Sequence, residues 1–388
     1  MSEPSREHTS ITLPGWPYRR VFLTGATGLI GGQILQDLLE VPEIETVTCL
    51  VRPVKDTPSL DRLSQRLMKA GMEEGRVKKA MSRVRMAEGE ITEELWGMSQ
   101  ADLAQLRKET DILIHCAAST SFVDVGSCEA ANVAGTRNML GVIDKAKSLK
   151  RLVHFSTATL CGYLPNRIIT EDESPNPKHK HVVAYTRTKA EAERILWEQA
   201  QKLPLLVLRP SIVMANDLAD AKYARLFLWS LLVMGQLPFL PVKRDSKIDI
   251  VTLDFVVKST MRLIARGDKL AHNCYHLTSG AEACVTAGDV CEVCCKAARM
   301  EGPTLIPPDK WHKEHEQTIE EQGLSSLYEA LVYLPFINLN LVYDKSRLAN
   351  ELGEDLPELL RATGYLPRML HIVDPDLVTL EGLQALGM

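Results

Sequence analysis

The sequence predicts an α/β fold: a doubly wound parallel sheet with a smaller C-terminal substrate lobe. Two observations support this prediction. Short apolar runs rich in β-forming residues alternate with helix-period segments through the first half of the chain, which is typical of parallel sheets covered by helices. Between the first such run and the first helical segment lie three glycines, Gly25, Gly28 and Gly31.

The predicted strands and helices alternate along the chain, with an unusually long link at 61–86, after the second strand. The strands are predicted at 21–24, 47–51, 84–86, 111–116, 151–156 and 205–208. Apolar residues recur at helical spacing in the segments 29–39, 130–149 and 188–203. Beyond residue 212 the alternation fades, and a strand at 274–277 and a helix at 287–300 remain recognisable.

Composition and charge narrow the class of protein. The 388 residues are 45% hydrophobic and 24% charged, the ordinary range for globular domains. A net charge of −5 argues against a nucleic-acid binder. No charge-free apolar run reaches the roughly 18 residues of a spanning helix, so no transmembrane segment is expected. Nine cysteines, an odd number, without a secretory signal favour a reduced, cytoplasmic compartment.

The glycine turn is a candidate phosphate-binding site. Gly25 permits a tight turn, Gly28 lets the backbone approach phosphate oxygens, and Gly31 allows close packing of helix on strand. The helix N-terminus adds unpaired N–H groups and a positive dipole end. A glycine turn in any α/β protein is the competing interpretation. The candidate cofactor-binding residues of this segment are Thr24, Gly25, Thr27, Gly28, Leu29, Ile30 and Gly31.

Further candidates for cofactor binding follow later strands. Arg52 ends the second strand, where NAD enzymes commonly carry a carboxylate for the ribose 2′-OH, so an arginine favours the 2′-phosphate of NADPH. A solvent-exposed arginine is the alternative. Glu90 is a candidate partner for an adenine amine or a plain turn residue. The small residues Ala117 and Ala118 leave room for a cofactor. Three roles are open for Asn132: it could hold a helix bulge, hold a water molecule in a proton path, or cap a helix.

The spacing of Tyr185 and Lys189 is the most informative pattern. At i and i+4 of a helix the two side chains share one face, and an ammonium beside a phenol is expected to lower the phenol pKa. Tyr185 is then a proton donor to a carbonyl oxygen. Ser156 and Thr157 end the preceding strand, and either hydroxyl would stabilise developing negative charge on that oxygen. An ordinary surface helix is the competing interpretation of the pair.

Taken together in this order, the motifs resemble those of the extended short-chain dehydrogenase/reductase superfamily. The matching segments span roughly residues 20–215 and read TGATGLIG (24–31), HCAA (115–118), NVAGT (132–136), STATLCG (156–162), YTRTK (185–189) and RPS (209–211). Within it the chain is most similar to the thioester reductases and fatty acyl-CoA reductases. The shared features are a long insert after Arg52 and the segments GEI (89–91), WGMS (96–99), RPSIV (209–213) and DIVTLD (249–254). Glu90 departs from the aspartate usual in that group, and the segment after Val213 lacks its glycines.

The resemblance implies a disordered lead (1–18), an NAD(P)-binding Rossmann domain (19–212) and a substrate-binding lobe (213–388), segments of which are free to return to the first domain. It implies NADPH-dependent reduction of an acyl thioester, bound to a carrier protein or to CoA, to an aldehyde or alcohol. Thr157, Tyr185 and Lys189 are the implied catalytic residues. Thr157 ranks above Ser156 because the family hydroxyl lies five residues before the motif-closing glycine, here Gly162.

Two other functions remain open. The same residues suit a reductase or dehydrogenase of a ketone or secondary alcohol, and the apolar segment 226–240 favours an apolar small molecule as its substrate. A non-catalytic NADP sensor on the same fold has no need of a proton donor. The basic insert between Arg76 and Arg85 is either a surface for an acidic carrier protein or CoA, or a solvated helix face. Three cysteines at 291, 294 and 295 are expected to pack as small apolar side chains, and no metal is predicted.

Overall fold

A computed structural model of the chain describes residue 13 and residues 15–55, 58–215, 225–331 and 334–370. In chain order its strands are β1 (Arg20–Thr24), β2 (Thr46–Val51), β3 (Val84–Glu88), β4 (Ile112–His115), β5 (Arg151–Phe155), β6 (Arg167–Ile169), β7 (Leu205–Pro210), β8 (Ile212–Met214), β9 (Phe239–Leu240), β10 (Lys247–Ile248), β11 (Ile250–Thr252), β12 (Cys274–Leu277), β13 (Val285–Thr286), β14 (Thr304–Leu305) and β15 (Leu341–Tyr343).

The helices cover and connect these strands. They are α1 (Leu29–Glu40), α2 (Ser59–Lys69), α3 (Glu74–Met81), α4 (Gln100–Glu109), α5 (Val125–Cys128), α6 (Gly135–Ile143), α7 (Ala184–Glu198), α8 (Arg225–Gln236), α9 (Leu253–Ala265), α10 (Gly280–Ala283), α11 (Ala287–Ala298), α12 (Lys313–Glu321), α13 (Ser325–Glu329), α14 (Leu334–Ile337), α15 (Ser346–Leu352) and α16 (Ala362–Met369). Among the described helices, none has both the length and the apolar character needed to cross a membrane.

A seven-stranded parallel sheet organises the molecule. Its strand order is β12-β7-β5-β4-β1-β2-β3, and every neighbouring pair is parallel. Strands β1, β2 and β3 follow one another toward one edge of the sheet, whereas β4, β5, β7 and β12 follow one another toward the other edge. The direction of the strand order therefore reverses between β1 and β4. Ligands of such sheets bind at this reversal, beyond the carboxyl ends of the strands. The predicted doubly wound Rossmann architecture is confirmed.

Apolar side chains fill both faces of this sheet. On one face, residues of β1, β4 and β5 pack with α1 and α9, and their buried members include Leu23, Leu35 and Phe255. On the other face, alternate residues of the same strands pack with Trp96, Met139 and other side chains of α4, α6 and α7. Near-continuous apolar strands are expected where both faces are buried, which is why the strand prediction succeeded here.

The N-terminal lead is shorter than predicted. Leu13, Trp16 and Tyr18 are buried in the core on the α1 side of the sheet, and the rings of Trp16 and Tyr18 meet edge to face. The prediction of disorder over 1–18 is therefore wrong for residue 13 and residues 15–18, because two large aromatic side chains contribute apolar area that favours burial. The rest of the predicted lead lies outside the described residues.

Part of the C-terminal half returns to the first domain. Strand β12 extends the main sheet beside β7, and α9 packs on α1. The remaining lobe has its own core, formed by α8, α11 and α16 with side chains such as Trp229 and Leu366. Cys294 and Cys295 are buried in α11, and Cys294 belongs to this core, as predicted for small apolar side chains. The segment after Val213, in which the sequence lacks the glycines of the thioester reductases, lies outside the described residues from residue 216 to residue 224.

Two predicted helices differ from those observed. The segment 130–149 consists of a π-helical turn, Glu129–Ala134, followed by α6, which ends at Ile143 before Lys145 takes a left-handed conformation (φ 68°). Helix α7 begins at Ala184, four residues before the predicted start. Tyr185 therefore lies in its first turn, where a helix end meets the edge of the sheet.

Candidate active site

The glycine turn lies at the point where the sheet reverses its order. Gly25 has φ 75°, and a Cβ there would lie 2.8 Å from the backbone nitrogen of Ala117, so β1 and the segment after β4 meet closely. The Thr24 hydroxyl accepts a hydrogen bond from that Ala117 nitrogen at 3.1 Å and pairs with His115 Nδ1 at 2.9 Å. Thr24 therefore positions the turn; its side chain is fully buried.

The first turn of α1 has the form of a phosphate cradle. Gly28 is its N-cap and no side chain caps it, so first-turn N–H groups remain available to an anion. A Cβ at Gly31 would lie 2.3 Å from the Gly25 carbonyl oxygen, so only glycine lets the turn close onto the helix. Thr27, Leu29 and Ile30 are half-buried beside it. These residues fit a dinucleotide pyrophosphate.

Two arginines of α2 that the sequence did not identify approach the candidate cofactor site, one at the glycine turn and one at the end of β2. Arg66, which is buried, donates from Nε to the Gly28 carbonyl and from Nη2 to the Leu29 carbonyl, each at 3.2 Å. Arg62 Nη1 donates to the carbonyl of Arg52 at 2.7 Å. Their i, i+4 spacing on a helix just after Arg52 was the available signal, since such residues share a face.

Arg52 and Glu90 lie together, at the ends of β2 and β3. Arg52 Nη1 is 3.3 Å from Glu90 Oε2, and the Arg52 side chain is 71% exposed. The Glu90 backbone nitrogen donates to the Trp96 carbonyl at 2.9 Å, which holds the turn after β3 in place. The exposed Arg52 guanidinium at this edge of the sheet is accessible to a cofactor phosphate. The Glu90 carboxylate, which already pairs with Arg52, would compete with that phosphate for the guanidinium.

Asn132 lies in the π-helical turn Glu129–Ala134, so the predicted helix bulge is confirmed. It is buried, and its Nδ2 donates to the Ser119 carbonyl and to Thr188 Oγ1, each at 3.0 Å. Its Oδ1 accepts from the Ser119 nitrogen at 2.9 Å. Asn132 thus ties the segment after β4, which holds Ala117 and the exposed Ala118, to α7.

The three predicted catalytic residues converge where β5 ends and α7 begins. The Thr157 hydroxyl lies near enough to the Tyr185 phenol to lower its pKa, and the Lys189 ammonium donates to the Phe155 carbonyl. Ser156, the second candidate, is buried, and its hydroxyl has no partner among the described residues. The structure therefore brings Thr157, rather than Ser156, to Tyr185.

Burial dominates the protonation of this site. It raises the pKa of Tyr185 to about 12, while the Thr157 hydrogen bond opposes that rise. The expected lowering of the Tyr185 pKa by Lys189 is therefore wrong for this structure, because desolvation of the phenolate dominates and the group that lowers the pKa is the Thr157 hydroxyl rather than the Lys189 ammonium. Burial also lowers the pKa of Lys189 to about 8, and the Glu193 carboxylate acts in the opposite direction by raising it. Tyr185 is a protonated acid at neutral pH, as a proton donor must be.

A buried ion pair supports the helix that holds these residues. Glu193, one turn after Lys189, is paired with Arg209 of β7, and both side chains are buried. Arg209 Nη2 also donates to the Glu173 carbonyl at 2.8 Å, and Trp197 Nε1 donates to Glu193 at 2.8 Å. Breaking a buried pair leaves an uncompensated charge, so this network fixes α7 against the sheet.

Comparison with known proteins identifies the family of the chain. Residues 23–260 match the sequence profile of the male sterility protein family. Human fatty acyl-CoA reductase 2 is 26% identical over 227 residues, which cover 51% of this chain and 44% of the human protein. The match to four such curated relatives covers between about a quarter and about half of each relative's own length.

Two solved structures share the fold. The terminal R domain of the myxalamid PKS-NRPS biosynthetic pathway superposes with a TM-score of 0.72 at 24% identity, covering 91% of this chain and 90% of that one. The thiolation-reductase di-domain of an archaeal non-ribosomal peptide synthetase also gives 0.72, at 21% identity, with coverages of 95% and 76%. The chain therefore belongs to the male sterility protein family, within the extended short-chain dehydrogenase/reductases, a superfamily of NAD(P)-dependent oxidoreductases.

Proposed function

We propose that this protein is an NADPH-dependent reductase of acyl thioesters, bound to a carrier protein or to CoA, and that it forms an aldehyde or alcohol. The observation that carries the proposal is the placement of the Thr157 hydroxyl beside the Tyr185 phenol, with Lys189 held at the end of β5. This acid lies on the same edge of the sheet as the glycine turn. The similarity to fatty acyl-CoA reductases supports a thioester as the substrate.

The protein's own residues supply the acid and the oxyanion site. The bound cofactor supplies a hydride to the thioester carbonyl carbon. Thr157 and Tyr185 donate hydrogen bonds to the carbonyl oxygen, which stabilises negative charge as it develops. Tyr185 gives its proton to that oxygen, and Lys189 holds the ribose and keeps a positive charge beside the phenolate. The resulting hemithioacetal loses its thiol to give an aldehyde, and a second reduction gives an alcohol.

A preference for NADPH is supported by the charges near the end of β2. Arg52 is exposed there, and Arg62 reaches the Arg52 backbone from α2. A guanidinium pairs well with a phosphate. Arg66 adds a buried positive charge behind the glycine turn, where the pyrophosphate is expected.

The insert after Arg52 contributes more to the cofactor site and to the fold than its basic character indicated. Arg83 donates to the Leu39 carbonyl and, at 3.1 and 3.0 Å, to those of Val41 and Ile44, so it stabilises the C-terminal end of α1. Lys78 and Lys79 of α3 are exposed. They are the part of the insert that is free to meet an acidic carrier protein or the phosphates of CoA.

The proposal is tested by replacing Tyr185 with Phe and following NADPH oxidation over a panel of acyl-CoAs, acyl carrier proteins and ketones, with products identified by mass. We expect wild-type protein to reduce thioesters and Tyr185→Phe to lose about 10²–10⁴-fold in kcat, the contribution of a general acid. Replacing the exposed Tyr163 with Phe is the matched control and should leave kcat unchanged.

Two results would contradict the proposal. Turnover of ketones or secondary alcohols alone would exclude the thioester substrate and leave the Tyr185 assignment to be decided by the variant. Tight NADPH binding by a folded protein without turnover of any substrate would indicate a sensor.

A further inference from the structure

An aromatic stack continues from Tyr185 into the C-terminal lobe. The Phe122 ring lies 6.0 Å from the Tyr185 ring, centroid to centroid, with 18° between their planes. Phe122 also contacts Phe336 of α14, at 5.4 Å between ring centroids and with 36° between the ring planes. All three side chains are only partly buried. A substrate carbonyl that reaches the Tyr185 hydroxyl must therefore place its neighbouring carbons beside these rings.

The surroundings of this stack are apolar. Phe336 packs on a cluster formed by Ala158, Cys161, Ile169, Leu339, Leu341 and Tyr343. Ala158 directly follows Thr157, so the apolar cluster begins beside the catalytic hydroxyl. Val123 and Val125, next to Phe122 in the chain, are 60% and 52% exposed. Apolar side chains with this exposure beside a site are typical of a ligand-binding surface.

The acidic residues nearest in the chain already have partners. Glu129 Oε1 is paired with Arg187 Nη1 at 2.7 Å, and Asp124 Oδ1 accepts the Ser127 backbone N–H at 2.9 Å. A cationic group next to the substrate carbonyl would lose water beside Phe122 without gaining a free carboxylate from either residue. Desolvation of an unpaired charge is costly.

We propose that Phe122 and Phe336 are specificity-determining residues that receive the acyl chain next to the carbonyl and select apolar acyl groups over α-aminoacyl groups. The inference rests on the proposed thioester reduction and deepens it. Phe122 covers the carbons nearest to the carbonyl, because its ring contacts Tyr185. Phe336 covers the carbons further along the chain, because it contacts Phe122, whose ring in turn contacts Tyr185.

Decanoyl, acetyl and alanyl thioesters of pantetheine test this assignment, since pantetheine is the arm that CoA and carrier proteins share. We expect wild-type kcat/KM for decanoyl to exceed that for alanyl by about 100-fold, the order of discrimination that a pocket of this kind provides. Phe336→Ala and Phe122→Ala should reduce kcat/KM for decanoyl about tenfold, through KM, and leave acetyl nearly unchanged. Phe239→Ala is the control, since Phe239 packs on His315 instead.

A binding measurement keeps the assignment separate from the reaction. S-decyl-pantetheine and S-ethyl-pantetheine are thioethers that cannot be reduced, and their affinities are measured by calorimetry with NADP⁺ present. We expect the decyl compound to bind more tightly to wild-type protein, and Phe336→Ala to remove that preference. Phe122→Leu and Phe336→Leu, which keep apolar volume, should show intermediate effects if the alanine variants fold poorly.

The outcomes distinguish the two proposals. Wild-type protein that reduces no thioester but binds the decyl compound through Phe336 would contradict the proposed function and support the assignment of the two rings. The assignment would be overturned, while the function stands, if wild-type protein reduced decanoyl and alanyl thioesters equally well. Equal losses of kcat/KM for decanoyl and acetyl in Phe122→Ala and Phe336→Ala would overturn it in the same way.

Discussion

At Lys189 two opposing effects set the charge. Burial lowers the pKa of its ammonium to about 8, and the Glu193 carboxylate one turn along α7 acts to raise it. The proposed mechanism needs the charged form, which holds the ribose and stabilises the phenolate. The fraction of charged Lys189 therefore falls as the pH rises through about 8.

We predict that kcat/KM falls above pH 8 and that Glu193→Gln moves this descending limb to lower pH, because the variant removes the carboxylate that favours the charged lysine. Glu198→Gln, on the same helix but exposed, is the control and should leave the profile in place. The measurement is a pH profile of NADPH oxidation, restricted to conditions in which circular dichroism shows that the variant is folded. An unshifted limb would show that Glu193 acts only through its pair with Arg209.

Arg52 carries the predicted choice between the two nicotinamide cofactors. We predict that Arg52→Ala raises the Kd for NADPH about tenfold or more, the loss expected for one charge-assisted hydrogen bond, and leaves the Kd for NADH nearly unchanged. Arg85→Ala is the matched control, since Arg85 is exposed near the start of β3 rather than at its end. Equal losses for both cofactors in a fluorescence titration would contradict a 2′-phosphate role.

At the scale of elements, the glycine turn and α1 pack closely against each other. The Gly31 position is so near the Gly25 carbonyl that a methyl group must displace either the helix or the turn. The guanidinium of Arg66 in α2 donates hydrogen bonds to the Gly28 and Leu29 carbonyls and so fixes α2 against the turn. The cradle is thus built by three elements, of which the sequence reasoning identified two.

We predict that Gly31→Ala lowers the free energy of unfolding by about 1–3 kcal/mol, as overpacking does, and weakens cofactor binding more than it affects the fold. Gly75→Ala is the control on α3, where a Cβ meets no atom within 4 Å. That change should raise stability by about 0.5–1 kcal/mol, since alanine is the better helix former. Urea unfolding and a cofactor titration of both variants measure the two effects, and equal stability changes would refute the close-packing argument.

At the scale of the whole molecule, buried neutral histidines make the fold sensitive to acid. Burial lowers the pKa of His115 and of His276 to about 3, and that of His154 well below its ordinary value of 6.5. Since unfolded histidine titrates near 6.5, the unfolded chain binds more protons below that pH, and stability is lost as the pH falls. Glu171, whose pKa burial raises to about 7, opposes this effect. Asp249, whose pKa burial also raises, opposes it too. These two carboxyls stand against the three buried histidines and His181, whose pKa burial lowers to about 4, so acid is destabilising overall.

We predict that His154→Leu flattens the decline in the free energy of unfolding between pH 6.5 and 5, by up to about 2 kcal/mol at pH 5. His154 is suited to this test because neither ring nitrogen has a hydrogen-bond partner among the described residues. Its replacement therefore leaves no other group unsatisfied. His272→Leu, at an exposed position, is the control for chemical denaturation at each pH. Parallel curves for His154→Leu and wild-type protein would contradict the argument.

The sequence by itself determined the parts of this protein that local pattern controls. Apolar runs specified the strands of the main sheet because both faces are buried, and the glycine spacing specified the turn because its geometry excludes a Cβ. The i, i+4 spacing placed Tyr185 and Lys189 on one face of α7. Only the tertiary structure decided what depends on contacts between distant segments. Such contacts bury Trp16 and Tyr18, bring β12 to the edge of the sheet and bond the Arg66 side chain to the carbonyls of the glycine turn. They also raise the pKa of Tyr185 through burial and bring Phe122 into contact with both Tyr185 and Phe336.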